Sequence, residues 1–299
     1  MKTNATSRIF PDWQIGWAAS PEQQPERFVP ATVPGAVQLD WARAEGWPPY
    51  WQGDHFLDYG WMEDVHWVYQ TRLQKPALKP GQRLVLVCGG VDYACMVRVE
   101  GRVVHTQEGM FSPFEEDLTE AADGGLVEIV VAPAPKISVP SEEVSDRERK
   151  ESRQSCKPAV AYGWDFHPRL IPLGIWEETY LEVRDAGAWL DFVEVSYDLT
   201  DDFSSADLRL VTGGNAPCVR WTLRDPAGAV VATQEGAPGA LAIRVAQPVL
   251  WWPNTEGEAA LYTSAVETLN ADGQTAQACE QRVGLRRIRL VMAPGQFSS

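Results

Sequence analysis

Trp164 and Asp165 stand side by side within "KPAVAYGWDFHPRLIPLGIW", residues 157 to 176, between Gly163 and Pro168. An indole covers the apolar face of a sugar ring, and a neighbouring carboxylate accepts two hydroxyl hydrogens while the ring shields those bonds from water. The segment is too aromatic for a plain linker and too rich in proline for a strand interior, so it reads as an ordered loop. The same pair admits a blander use, in which Trp164 plugs a domain interface and Asp165 bonds backbone amides in a turn, as loop carboxylates commonly do. Taken alone, the two residues leave both uses open.

Other chemistry is sparser. Hydrolysis of a glycoside with retention needs two carboxylates about 5 to 5.5 Å apart. Four adjacent acidic pairs invite that reading: Glu115-Glu116, Glu142-Glu143, Glu177-Glu178 and Asp201-Asp202. Glu177 and Glu178 read as strand neighbours, which point to opposite faces and cannot converge on one bond. The remaining pairs fall in turn-like or highly charged stretches and read as solvated surface. No residue is therefore assigned as catalytic. Phosphate-loop, dinucleotide, G-x-S-x-G and H-E-x-x-H motifs are absent. His55, His66, His105 and His167 do not fall at ligand spacing, so neither a metal nor a cofactor is expected. The five cysteines are odd in number and lack C-x-x-C spacing, which predicts reduced, mostly buried thiols.

Strands must position such a loop. At 299 residues two domains are expected, and 44% hydrophobic residues are enough for a sizeable core. A net charge of −15 repels phosphate backbones and anionic lipid surfaces, which argues against nucleic-acid and membrane partners. The start, "MKTNATSRIFPDW", lacks an apolar signal core, and no apolar stretch reaches bilayer length, so a cytoplasmic location is expected. Thirteen tryptophans are an unusually large share, and most are expected in core or inter-domain packing.

Runs of β-branched and aromatic residues predict strands over 66–74, 82–88, 92–99 and 126–132, with Glu100-Gly101 turning a hairpin, and then over 176–184. A second set follows, including "CVRWTLR" (218–224), where Val219, Trp221 and Leu223 share one face and Arg220, Thr222 and Arg224 the other. A short helix is predicted over 37–46, ending at Gly46, and the charged run 141–155 reads as an exposed excursion. The fold class is all-β: a jelly-roll β-sandwich over 1–185, then an immunoglobulin-like β-sandwich over 186–299 that lacks the Cys and Trp spacing of antibody domains.

Six stretches in order resemble the amino-terminal part of a family 2 glycoside hydrolase, most closely the β-mannosidases. They are "VPGAVQLDW" (33–41), "PPYWQGDHFLDYGWMEDVHWVYQTRL" (48–73), "GGVDYACMVRVEGRVVHTQEGMFSPFEEDLTEA" (89–121), "YGWDFHPRLIPLGIWEETYLE" (162–182), "LWWPNTEGEAALYTSAVETL" (250–269) and "RVGLRRIRL" (282–290). The resemblance implies a galactose-binding-like jelly roll, then an immunoglobulin-like sandwich, then a TIM barrel that carries both catalytic glutamates. The first two correspond to the units read above, and the barrel is absent from this chain, which stops at Ser299. Hydrolysis by this chain alone is therefore not expected. The resemblance further implies that Trp164 and Asp165 bind substrate, a β-linked, mannoside-like sugar, once a barrel completes the site. Where that family continues with Trp-Gly-Pro, this chain has Phe166-His167-Pro168. Three readings result: the non-catalytic region of a retaining exo-β-glycosidase, a free-standing sugar-binding module, or a structural module that braces a barrel or a homodimer.

Overall fold

Where apolar and polar residues alternate, the chain runs as strands with one side facing the core. The computed structural model describes residues 7–138, 150–184, 187–239, 241–270 and 272–291. Thr6–Asp185 forms one compact unit and Ala186–Ser299 the body of a second.

The first unit contains β1 (Ser7–Ile9), β2 (Gln14–Ala18), β3 (Val29–Pro30), β4 (His66–Arg72), β5 (Arg83–Cys88), β6 (Val91–Asp92), β7 (Ala94–Val99), β8 (Arg102–Glu108), β9 (Phe114–Asp117), β10 (Leu126–Val131), β11 (Gly174–Ile175) and β12 (Thr179–Arg184). A sheet ordered β1-β12-β5-β9 and one ordered β3-β2-β4-β10-β7-β8 contribute to a single core, and β6 pairs with β11 in a small third sheet. Trp67, Tyr69, Leu84, Leu86 and Ile129 are fully buried there. The Glu100-Gly101 turn links β7 and β8 with both residues at positive φ (51° and 76°), the backbone twist that a two-residue hairpin requires.

The predicted helix is α1 (Val37–Glu45), which buries Val37, Trp41 and Ala42. Gly46 ends it in the left-handed conformation at φ 69°, donating its N–H to the Ala42 and Arg43 carbonyls. A 3-10 helix over His55–Asp64 has no counterpart in the sequence reading.

The second unit contains β13 (Leu190–Leu199), β14 (Ser205–Gly214), β15 (Cys218–Arg224), β16 (Val230–Gly236), β17 (Leu241–Ala246), β18 (Tyr262–Leu269) and β19 (Thr275–Val283). A three-stranded sheet, β13-β14-β17, and a four-stranded one, β16-β15-β18-β19, bury a second core between them. On β15, Val219, Trp221 and Leu223 are fully buried, and the Trp221 indole donates to Ser264 Oγ at 2.9 Å, so its one polar atom is satisfied inside the core. On the opposite face Arg220 bonds Glu235 at 2.6 Å. Both units are antiparallel sandwiches, jelly-roll and immunoglobulin-like in turn.

Several local expectations need correction. The strand read over 92–99 is interrupted at Tyr93, which separates β6 from β7 and lets the two join different sheets. Glu177 and Glu178 precede β12 rather than lying on it, and both are exposed. Of the charged run 141–155, residues 141–149, including Glu142-Glu143, lie outside the described residues. At its far end Glu151 meets Arg169 at 2.9 Å and Ser152 is buried, so that end is not an excursion. All five cysteines are free; Cys88, Cys95 and Cys279 are buried, Cys218 is half-buried and Cys156 is exposed.

Candidate functional site

The segment that carries Trp164 and Asp165 is core at both ends and solvent-facing at its middle. It enters through Lys157, whose buried ammonium donates to both carboxylate oxygens of Asp92 (2.6 and 2.5 Å) and to the Pro172 carbonyl (2.7 Å). Burial pushes the Asp92 pKa up and the Lys157 pKa down, and the attraction between them opposes both shifts. The pair joins β6 to the two arms of the segment, Lys157 on the way out and Pro172 on the way back.

One turn of 3-10 helix, Ala159–Tyr162, follows. It ends on Tyr162, a fully buried ring whose hydroxyl donates to the Pro135 carbonyl at 2.6 Å. Burial pushes this phenol up to about 12. Gly163 then adopts φ 117°, ψ 139°, a backbone conformation that only glycine takes without strain, and swings the chain outward.

Trp164 to His167 form a tight turn closed by two backbone bonds, Trp164 N–H to His167 O at 2.9 Å and His167 N–H to Trp164 O at 3.3 Å. Asp165 and Phe166 occupy its tip. Trp164 is 43% exposed and Phe166 76%, with ring centroids 6.2 Å apart. Asp165 is exposed, and its carboxylate accepts no hydrogen bond from the described residues. It therefore does not bond the amides of its own turn.

The return arm is tied down as firmly as the outgoing one. Arg169 forks onto Glu63, with Nε 3.1 and 3.2 Å from the two carboxylate oxygens and Nη2 2.7 Å from the first, while Nη1 donates to the Tyr162 carbonyl. Lys136 also meets Glu63, at 2.6 Å. Ile171 and Leu173 are buried, and β11 pairs with β6. These anchors escape a reading of the sequence because Asp92 and Lys157, like Glu63 and Arg169, are far apart along the chain.

The acidic pairs read from the sequence at 115–116 and 201–202 bind neighbouring side chains near the surface. Glu115 binds Arg184 at 2.6 Å and Glu116 meets His105 at 2.9 Å. Asp201 meets Arg287 at 3.1 Å, and Asp202 accepts from the Ser204 N–H and hydroxyl. No cluster of three or more His, Cys, Asp or Glu side chains suited to a metal occurs among the described residues. No helix there is long and apolar enough to cross a membrane. From a braced turn the arrangement can present an indole and one carboxylate that is unpaired among the described residues.

Residues 13–177 match the family described as "Glycosyl hydrolase 2 galactose-binding domain-like", and residues 191–286 match "Glycosyl hydrolases family 2". Among curated relatives, the β-mannosidase B of Aspergillus terreus is 29% identical over 303 residues and that of Aspergillus flavus 26% over 310. Each alignment takes in 93% of this chain and 35% of the relative. Among solved structures, a β-D-mannosidase from Dictyoglomus thermophilum superposes with a TM-score of 0.69 at 20% identity, covering 97% of this chain and 37% of that one. A β-glucuronidase from Ruminococcus gnavus in complex with D-glucuronic acid gives 0.60 at 17%, covering 95% and 46%. At those identities the structural likeness is one of fold. The two matches follow one another in the order of the two sandwiches, and the first takes in more than half of the residues; the chain belongs to glycosyl hydrolase family 2 and spans about a third of the length of its curated β-mannosidase relatives.

Proposed function

We propose that the chain is the non-catalytic amino-terminal region of a retaining exo-β-glycosidase of the β-mannosidase type, and that Trp164 and Asp165 contact the sugar. The observation that carries this reading is the Asp165 carboxylate, without a partner among the described residues, beside a half-exposed indole on a turn whose two arms are locked to the sandwich. A carboxylate that neither caps a turn nor pairs with a cation keeps its full capacity to accept sugar hydroxyls. The cleaving acids belong to a further domain, so the role of this region is orientation: fixing hydroxyls at the reacting ring restricts its motion and strengthens in the transition state.

The test requires an enzyme that carries these two domains ahead of a catalytic barrel. There Asp165→Ala removes a charge-assisted hydrogen bond worth about 3 kcal/mol, so kcat/KM on a chromogenic β-mannoside falls roughly a hundredfold. An unchanged kcat/KM would sink the assignment. The 299-residue chain by itself should neither turn over the mannoside nor give heat with mannose, because half a set of contacts yields little net affinity.

A further inference from the structure

Beside the turn, on the side of His167, the first unit holds a cavity of about 320 Å³. Leu39 of α1, Tyr50 and Tyr59 from the stretch that follows, and Val160, Ile171 and His167 from the anchored segment contribute to its wall. No charged side chain lines it among the described residues. An apolar cavity of about 150 Å³ holds a benzene ring, so a substituted ring fits here.

The polar atoms on the wall narrow the choice of ring. Tyr59 is only 5% exposed, yet its hydroxyl has no hydrogen-bond partner among the described residues. The rings of Trp47 and Tyr50 pack edge-on against it, 5.2 and 6.1 Å away, and hold it in place. Burial pushes the Tyr59 pKa up, so near neutrality this group is an uncharged donor. His167 Nδ1 lies 2.6 Å from the Pro168 carbonyl, which can only accept; in the neutral ring Nδ1 therefore carries the proton and Nε2 is left as an acceptor. The Gln38 amide, also on the wall, is held by the Ile171 carbonyl and the Leu173 N–H, so a neutral molecule with an apolar body and one free hydroxyl satisfies this wall. A second sugar, with hydroxyls on every side, does not.

Trp164 and His167 exchange both backbone hydrogen bonds, which sets their Cα atoms about 5.5 Å apart, the width of one ring. We infer that the cavity receives the free apolar alcohol, a substituted phenol or branched alkanol, that leaves when a β-linked glycoside held across the turn at Trp164 is cleaved. The inference rests on the sugar-contacting role of Trp164 and Asp165, but its test does not use them.

The test is isothermal titration of the 299-residue chain with 4-ethylphenol, a neutral probe with no sugar attached. Saturable binding is expected, weakened about fivefold by Tyr59→Phe through loss of one neutral hydrogen bond, and abolished by Val160→Trp. Absence of saturable binding overturns the inference. So does equal affinity in Tyr59→Phe, or retained binding in a Val160→Trp chain with the parent's circular dichroism and urea midpoint. Competition by mannose would also overturn it, by assigning the cavity to a sugar. Should phenol bind as expected while Asp165→Ala leaves kcat/KM untouched in the barrel-containing enzyme, the cavity stands and the sugar assignment falls.

Discussion

Asp92 and Asp165 belong to the same sandwich and have opposite surroundings. Asp92 is buried and gripped by Lys157, while Asp165 stands in solvent with no donor among the described residues. A carboxylate removed from water is retained only when a partner compensates its lost hydration, whereas an exposed one keeps water until a ligand displaces it. The contrast separates two tasks within twenty residues. The arms of the segment hold the geometry, and the tip is left exposed to solvent.

Breaking the arm should have the largest effect. Asp92→Ala strands the Lys157 ammonium in the core and is expected to cost about 3–5 kcal/mol in urea unfolding. Replacing both members by apolar residues, Asp92→Leu with Lys157→Met, should recover most of that; failure to recover would mean that the pair does more than neutralise itself. Next comes Gly163→Ala, which forces a Cβ into a glycine-only conformation at φ 117° and should cost about 1–3 kcal/mol. A third change acts at the tip: Asp165→Ala should move the unfolding free energy by less than about 0.5 kcal/mol, since it breaks no hydrogen bond or ion pair among the described residues. A larger loss would show that Asp165 has a structural partner after all and would blur the division between arm and tip.

The smallest effect lies in the second unit, at another exposed carboxylate. The Ser204 N–H, followed by the Thr200 and Ser204 hydroxyls, holds the Asp202 carboxyl down at about 2. Because its folded pKa lies below the ordinary value, its contribution to stability is complete above the ordinary carboxylate range and is lost as pH falls toward about 2. Carbon-detected titration should place its midpoint there; a midpoint in the ordinary range would remove the distinction between this turn-bound acid and Asp165.

Much of the framework was legible because it is written locally. The alternation on β15 appears in the structure residue for residue, and Gly46 ends α1 as a glycine C-cap should. The 3-10 helix over His55–Asp64 was not, since its mixture of aromatic and acidic residues follows neither strand nor α-helix period. Glu177 and Glu178 were misplaced because propensity does not fix where a strand begins. At the site, composition singled out Trp164 and Asp165, but no local pattern separates a bare carboxylate from one that caps a turn. Nor does any local pattern reveal that Lys157 and Arg169 lock the arms, because their partners lie 65 and 106 positions away.

The bond from Lys157 to the Pro172 carbonyl has a consequence for how such a protein can change over generations. It closes the base of the segment beneath the turn, so residues 164–167 behave as an interchangeable head on a fixed handle. New side chains can be tried at that head without remaking the body that carries it, so what the turn presents to solvent can change while the fold stays as it is.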